Sequence, residues 1–131
     1  MYRYIFYYFN RTFSSFSYNQ KDYTNGIENI IFFFQIVHIL FIDTIFMYIF
    51  NFSFFKILFN HTYGINKLIF FPIFIFYLIL LKYYYRKSWG KIKIKYDGKV
   101  SINSLNTILI LFFLFILPLV TTIYLRYYFN N

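Results

Sequence analysis

The sequence predicts an all-α membrane protein with three transmembrane helices and an N-terminal amphipathic helix at the membrane interface. Two observations indicate this fold class. First, 60% of the 131 residues are hydrophobic and 30% are aromatic, which is too apolar for the surface of a soluble domain of this length. Second, three apolar segments each approach the ~20 residues that cross a bilayer core. They fit into one membrane domain covering residues 1–131.

The predicted spans are span 1 (30–50), span 2 (68–85) and span 3 (105–125). We expect helices because lipid offers no hydrogen-bonding partner to the open edge of a strand. The chain contains no alanine and only four glycines, so it lacks the small-residue contacts through which membrane helices often approach each other. We therefore expect the spans to associate through Phe, Leu and Ile surfaces and a few hydrogen bonds.

The first 18 residues predict the interfacial helix. Apolar side chains recur there at helical spacing, with polar residues elsewhere on the helix. These apolar residues are Tyr2, Ile5, Phe6, Phe9, Phe13 and Phe16. We expect this helix to anchor the chain among the headgroups, with lipid remodelling or pore formation as the alternative.

The basic residues predict the orientation. With three spans, the N-terminal segment and the loop after span 2 share one side of the membrane, and that side holds ten of the thirteen Lys and Arg residues. Because positive loops stay in the cytoplasm, we expect a cytoplasmic N-terminus and an external C-terminus. The chain carries a formal charge of +9.

Seven basic residues surround the predicted cytoplasmic loop and should lie near anionic lipid headgroups. They are Lys82, Arg86, Lys87, Lys91, Lys93, Lys95 and Lys99. Nucleic-acid binding is not expected, since a basic segment beside a span usually fixes topology. Residues 86–103 fit either a hairpin that turns at Asp97-Gly98 or a continuation of span 2 as a helix to about residue 96, and the helix is favoured.

Span 1 contains three polar residues, Gln35, His38 and Asp43. A central Asp costs about 2.5 to 3.5 kcal/mol on insertion, so this span should depend on its neighbours. His38 and Asp43 lie about 140° apart around a helix and cannot pair within it. Ionisable residues inside a membrane are candidates for a functional site. Here they predict either hydrogen bonds between helices or, in an oligomer, a proton or ion path.

Partners for Asp43 follow from its depth in the outer half of span 1. Thr121 and Thr122 of span 3 fall at nearly the same level, and Lys67 could reach inward from the external surface. Pro118 should leave the carbonyl of Leu114 without its helical donor and bend span 3.

Several kinds of chemistry lack the residues that they need. The chain has no cysteine and two histidines, one of them in the external loop. No thiolate site, haem attachment or metal site is therefore expected. It has four scattered acidic residues and no phosphate-binding or zinc-protease motif. We expect neither an enzyme nor a bound cofactor.

Three segments follow one another along the chain. The first is YRYIFYYFNRTF; after the polar first span come GINKLIFFPIFIFYLILLKYYY and then KIKIKYDGKVSINSLNTILILFFLFILPLV. In this layout the chain resembles small three-span membrane proteins of AT-rich, Bacteroidetes-type bacteria. No activity is established for that group, so the resemblance implies the architecture and a bacterial inner-membrane location only. A mitochondrially encoded subunit of a respiratory complex would show a similar composition.

The predicted function is that of a small non-enzymatic membrane protein acting as an accessory or interaction partner, with a larger membrane protein or further copies of itself as possible partners. One alternative is an oligomeric ion or proton pore lined by Gln35, His38 and Asp43. Another is an immunity or effector protein of a bacterial conflict system.

Overall fold

The computed structural model describes residues 1–16, 23, 25–54 and 65–130. The described chain is helical and contains no strand, which confirms the all-α class. Its elements are α1 (Tyr2–Phe16), α2 (Ile27–Phe50), α3 (Ile65–Tyr96), α4 (Ser104–Leu111), a π-helical turn (Phe112–Ile116) and α5 (Leu117–Asn130). The last three follow each other without a break and are called the C-terminal rod.

The helix ends are set by local chemistry. Gly26, with φ at 97°, precedes α2, and Asn51, with φ at 53°, ends it. Both are residue types that enter the left-handed region at low cost. Gly98 has φ at 72° and lets the chain turn just after α3. The side-chain oxygen of Asn103 accepts the backbone N–H of Asn106 at 2.7 Å and caps the first turn of α4.

α3 is longer than a bilayer needs. Its 32 residues extend about 48 Å at 1.5 Å per residue. Of the two structures predicted for residues 86–103, the chain has the helix, which ends at Tyr96, followed by a turn over residues 97–99. Residues beyond the predicted span 2 therefore prolong the same helix.

α2 lies at the centre of the molecule and contacts α1, α3, the π-helical turn and α5. Around its first half lies a continuous group of buried apolar side chains, which we call the inner aromatic core. It consists of Ile5, Phe6, Tyr7, Tyr8, Phe9, Ile27, Ile31, Phe34, Leu81, Tyr85, Trp89, Ile92 and Ile110. Every helix except α5 contributes to it.

α1 is embedded in this core. Residues 5–10 are all buried, with exposed fractions between 0% and 6%, so the helix is covered on all sides over this stretch. Ile5, Phe6 and Phe9 were predicted on the apolar face of a helix that anchors the chain among the headgroups, and here they contact other parts of the protein. α1 therefore packs between the other helices and does not rest its apolar face on an open surface.

Among the described residues, two helices are long and apolar enough to cross a membrane. They are Ile27–Phe50 and Ser104–Tyr128, with mean hydropathies of 2.2 and 2.7. These correspond to spans 1 and 3 and support a membrane protein. Span 2, on α3, is not one of the two.

Candidate functional site: the polar contacts of α2

The three polar residues predicted on span 1 all lie on α2, and each contacts a different part of the bundle. Gln35 contacts α3, His38 contacts α1 and the π-helical turn, and Asp43 contacts α5. In the described part of the chain they share no hydrogen bond with one another. The contacts follow one another along α2 without forming a chain.

His38 is held at both ring nitrogens. Its Nε2 lies 2.6 Å from the carbonyl oxygen of Leu114, and its Nδ1 lies 2.7 Å from the hydroxyl of Tyr2. Because a carbonyl can only accept, Nε2 must carry a proton. In the neutral ring Nδ1 is then the acceptor, so the Tyr2 hydroxyl donates to it. One imidazole thus connects α1, α2 and the C-terminal rod.

The free carbonyl that His38 uses is produced by Pro118. Proline has no N–H, so the carbonyl of Leu114, four residues earlier, loses its helical donor. The helix widens here into a π-helical turn, in which the N–H of Leu117 bonds to the carbonyl of Phe112. Wide turns of this kind often occur at functional sites. Here the imidazole N–H satisfies the freed carbonyl.

Gln35 forms the contact between α2 and α3. Its side-chain oxygen accepts the Tyr77 hydroxyl at 2.8 Å. The same residues border a small cavity of about 260 Å³ between the two helices, which is otherwise apolar. Its lining residues are Phe32, Gln35, Ile36, Ile39, Ile73, Phe74 and Tyr77. The amide therefore gives this loosely filled contact its single polar link among the described residues.

Asp43 lies in a second buried group, which we call the outer polar cluster: Asp43, Thr44, Ser53 and Arg126. The carboxylate is 3% exposed, and Arg126 Nη2 donates to it at 2.9 Å. The Ser53 hydroxyl and the Phe54 backbone N–H add hydrogen bonds at 2.8 and 2.7 Å. Three donors on one carboxylate compensate for its removal from solvent.

Thr44 completes the cluster. Its hydroxyl donates to the carbonyl of Leu40 at 2.8 Å and accepts Arg126 Nε at 2.9 Å. The guanidinium thus bonds two adjacent residues of α2. The left-handed turn at Asn51 reverses the chain after α2, which brings Ser53 and Phe54 to the carboxylate.

In the described part of the chain, neither threonine expected as a partner of Asp43 forms a hydrogen bond with it. Thr121 and Thr122 donate to carbonyls of their own helix, those of Leu117 and Pro118. Lys67 lies on α3, where its side chain is outside the described part of the chain. The partner of Asp43 is Arg126, one of the three basic residues that do not belong to the predicted cytoplasmic side. Its position four residues after Thr122, on the same helix face, could have identified it.

A fourth polar contact joins α1 to the turn that follows α3. The hydroxyl of Tyr7 donates to Asp97 Oδ1 at 2.5 Å, and Arg11 Nη2 lies 3.1 Å from the same oxygen. The hydrogen bond from Tyr7 and the nearby Arg11 charge lower the pKa of Asp97 below its usual value. Burial, together with the Asp97 contact, raises the pKa of Tyr7. This contact fixes α1 beside the turn that follows α3.

The predicted basic residues lie along the second half of α3, except Lys99, which follows it. Lys82, Arg86, Lys87, Lys91 and Lys95 are exposed. The ammonium groups of Lys87 and Lys95 lie over the rings of Tyr83 and Tyr96. Within the described residues no group of three or more potential metal ligands comes together.

Comparison with protein-family models, with curated proteins and with solved structures found no match to this chain.

Proposed function

We propose that this chain is a three-span protein of the bacterial inner membrane that acts without catalysis, as an accessory or interaction partner of a larger membrane protein. The two long apolar helices support membrane insertion. The exposed side chains of α3 between residues 71 and 80 support the insertion of span 2 into the membrane. Side chains there are apolar on every face of the helix, yet almost all are exposed. Such a helix belongs in lipid or against another protein.

The proposed topology has the N-terminus in the cytoplasm. Among the α3 residues whose side chains the structure describes, the exposed Lys and Arg lie in the second half of the helix, as the positive-inside rule would place them. α1 contacts this same end of the bundle, where Tyr7 and Arg11 bond Asp97 and the Tyr8 hydroxyl donates to the carbonyl of Asn103. In this arrangement α1 fills the cytoplasmic end of the bundle.

The distribution of polar contacts along α2 supports the proposal that the chain does not conduct protons or ions. A proton path needs groups that can pass a proton to one another. Gln35, His38 and Asp43 instead bind three different helical segments. The His38 Nε2 proton is held by a backbone carbonyl, and Asp43 is paired with Arg126. These residues therefore act as interhelical hydrogen bonds, which contribute about 0.6 kcal/mol on average in a membrane.

Proton flux into liposomes that contain the purified chain tests this proposal. We expect wild type, His38→Ala and Asp43→Asn to give the flux of empty liposomes, because none of the contacts forms a continuous path. His38→Ala should lower the thermal stability by removing two hydrogen bonds. Tyr2→Phe is the matched variant, since it removes only the bond at Nδ1 and should lower stability less.

Flux through wild type that disappears in His38→Ala or Asp43→Asn would contradict the proposal and assign these residues to an oligomeric pore. The proposed role as an interaction partner is tested by a separate experiment. Affinity purification of the full chain from mild detergent should retain a stoichiometric membrane protein. A chain that purifies alone under these conditions would count against an accessory role.

A further inference from the structure

A cavity of about 470 Å³ opens between the start of α2 and the middle of α3, outside the contacts described above. The residues that line it in the described part of the chain are Asn25, Gly26, Glu28, Lys82, Tyr83 and Arg86. This volume lies within the range of about 300 to 1,000 Å³ that is typical of small-ligand sites. In the proposed topology the cavity lies at the cytoplasmic headgroup level, so the inference below rests on the proposed membrane insertion.

Two cations border the cavity. Lys82 and Arg86 lie one helical turn apart on α3, so both face the same region. Both are exposed, and no acidic side chain of the described residues forms an ion pair with either of them. Two adjacent cations at the membrane surface are suited to a phosphate group, which Arg can bind through two N–H groups.

A buried acid borders the same cavity. Glu28 is 3% exposed, and its Oε2 accepts the backbone N–H of Gly26 at 3.1 Å. Because Glu28 lines the cavity, its carboxylate is placed to accept hydrogen bonds from a cationic group of a ligand.

We propose that the cavity binds a phosphoethanolamine headgroup, the zwitterionic end of a phospholipid. Lys82 and Arg86 bind its phosphate, and Glu28 binds its primary ammonium. A phosphate headgroup without an ammonium would leave the charge of Glu28 without an opposite charge and would repel it. A quaternary ammonium has no N–H to donate to the carboxylate. The pairing of two cations with one buried acid therefore selects this headgroup over phosphoglycerol and phosphocholine.

Native mass spectrometry of the full chain in detergent tests the selection. Phosphatidylethanolamine, phosphatidylcholine and phosphatidylglycerol with identical acyl chains are added at equal concentration. We expect phosphatidylethanolamine to be retained most. Lys82→Gln and Arg86→Gln should each reduce its retention about fivefold, the effect of one lost surface charge. Lys87→Gln is the matched control, because Lys87 lies on the same helix but does not line the cavity.

Glu28→Gln is the decisive variant, since a glutamine oxygen can still accept the Gly26 N–H but carries no charge. It should bind phosphatidylethanolamine and phosphatidylcholine equally. The proposal would be overturned if wild type retained the three lipids equally. It would also be overturned if Lys82→Gln and Lys87→Gln reduced the retention of phosphatidylethanolamine by the same factor. Soluble phosphoethanolamine that displaces the lipid at equal concentration would assign the site to a free phosphate ester. Flotation of the chain with liposomes tests membrane insertion separately.

Discussion

The two ends of the bundle are held together by different kinds of interaction. The inner aromatic core buries apolar side chains from α1, α2, α3 and α4. The outer polar cluster lies between α2 and α5, and the residues buried in it are Asp43, Thr44 and Ser53. Most large apolar residues around it are exposed: Phe46, Ile49 and Phe50 of α2 are between 39% and 65% exposed.

This difference follows from the surroundings in the proposed topology. At the cytoplasmic end, burial of the α1 side chains removes apolar surface from water, so their packing gains the hydrophobic effect. Within lipid, apolar side chains gain little by leaving one apolar environment for another, so helices associate through packing and hydrogen bonds. The outer end has no alanine and no glycine on α2 or α5 to allow close packing. The ion pair between the buried Asp43 and the partly exposed Arg126 supplies the contact there.

The inner core provides the largest expected effect. Phe6 is fully buried, stacks on Tyr85 at a centroid distance of 4.3 Å and meets the edge of Trp89 at 5.9 Å. Phe6→Ala should lower the free energy of unfolding by about 3 to 5 kcal/mol, because it leaves a cavity beside Tyr85 and Trp89. Thermal unfolding in detergent, followed by circular dichroism, measures the loss. The fluorescence of Trp89, the one tryptophan of the chain, should shift to longer wavelength.

Phe13→Ala is the control for this change, since Phe13 is 43% exposed on the same helix. It should change the free energy of unfolding by no more than about 0.5 kcal/mol. If the two variants were equally stable, α1 would not be part of the core, and the contrast between the two ends of the bundle would disappear.

The outer cluster provides the second prediction. Arg126→Ala should cost about 2 to 4 kcal/mol, because it leaves Asp43 buried without its charge partner. The expected loss is below that of a fully buried pair since Arg126 is one-third exposed. Trp89 fluorescence should not change, as the inner core is untouched. The Phe54 amide, which donates to Asp43, should exchange its hydrogen faster.

The double variant Asp43→Leu/Arg126→Leu separates the net contribution of the ion pair from the penalty of leaving one buried charge unpaired. Removing both charges should recover most of the stability, since no buried charge remains uncompensated. Lys91→Ala serves as the control for loss of an exposed cation. If Arg126→Ala were no less stable than Lys91→Ala, the ion pair would not hold the outer end.

Sequence patterns predicted the helices better than their contacts. Apolar length predicted α2 and the C-terminal rod, because insertion into lipid depends on composition summed over a segment. The missing N–H of Pro118 predicted a free carbonyl at Leu114, and His38 bonds it. The burial of α1 was not predicted: apolar residues at helical spacing fit a lipid surface and a protein interior equally well. The pairing of Asp43 with Arg126 was not predicted either, because it depends on how α2 and α5 align with each other, and the sequence of neither helix alone determines that alignment.

The smallest predicted change in the free energy of unfolding concerns the contact between α1 and the turn after α3. Its size shows whether α1 is held in the bundle by packing or by charge. The folded protein lowers the pKa of Asp97, first through the hydrogen bond from Tyr7 and then through Arg11. A lowered pKa adds stability above the ordinary value of 3.8, and this contribution is lost as the pH falls through the folded pKa. Because the side chains of Arg11 and Asp97 are 24% and 43% exposed, the pair should contribute no more than about 1 kcal/mol.

Asp97→Asn measures this contribution directly. At neutral pH the variant should be less stable than wild type by at most about 1 kcal/mol, and the difference should shrink once the pH falls below about 4. Unfolding in detergent at both pH values, with circular dichroism as the readout, gives the comparison. A difference that stays constant with pH would mean that the carboxylate acts through its shape and not its charge. A loss as large as that of Phe6→Ala would mean that charge, and not aromatic packing, holds α1 in the bundle.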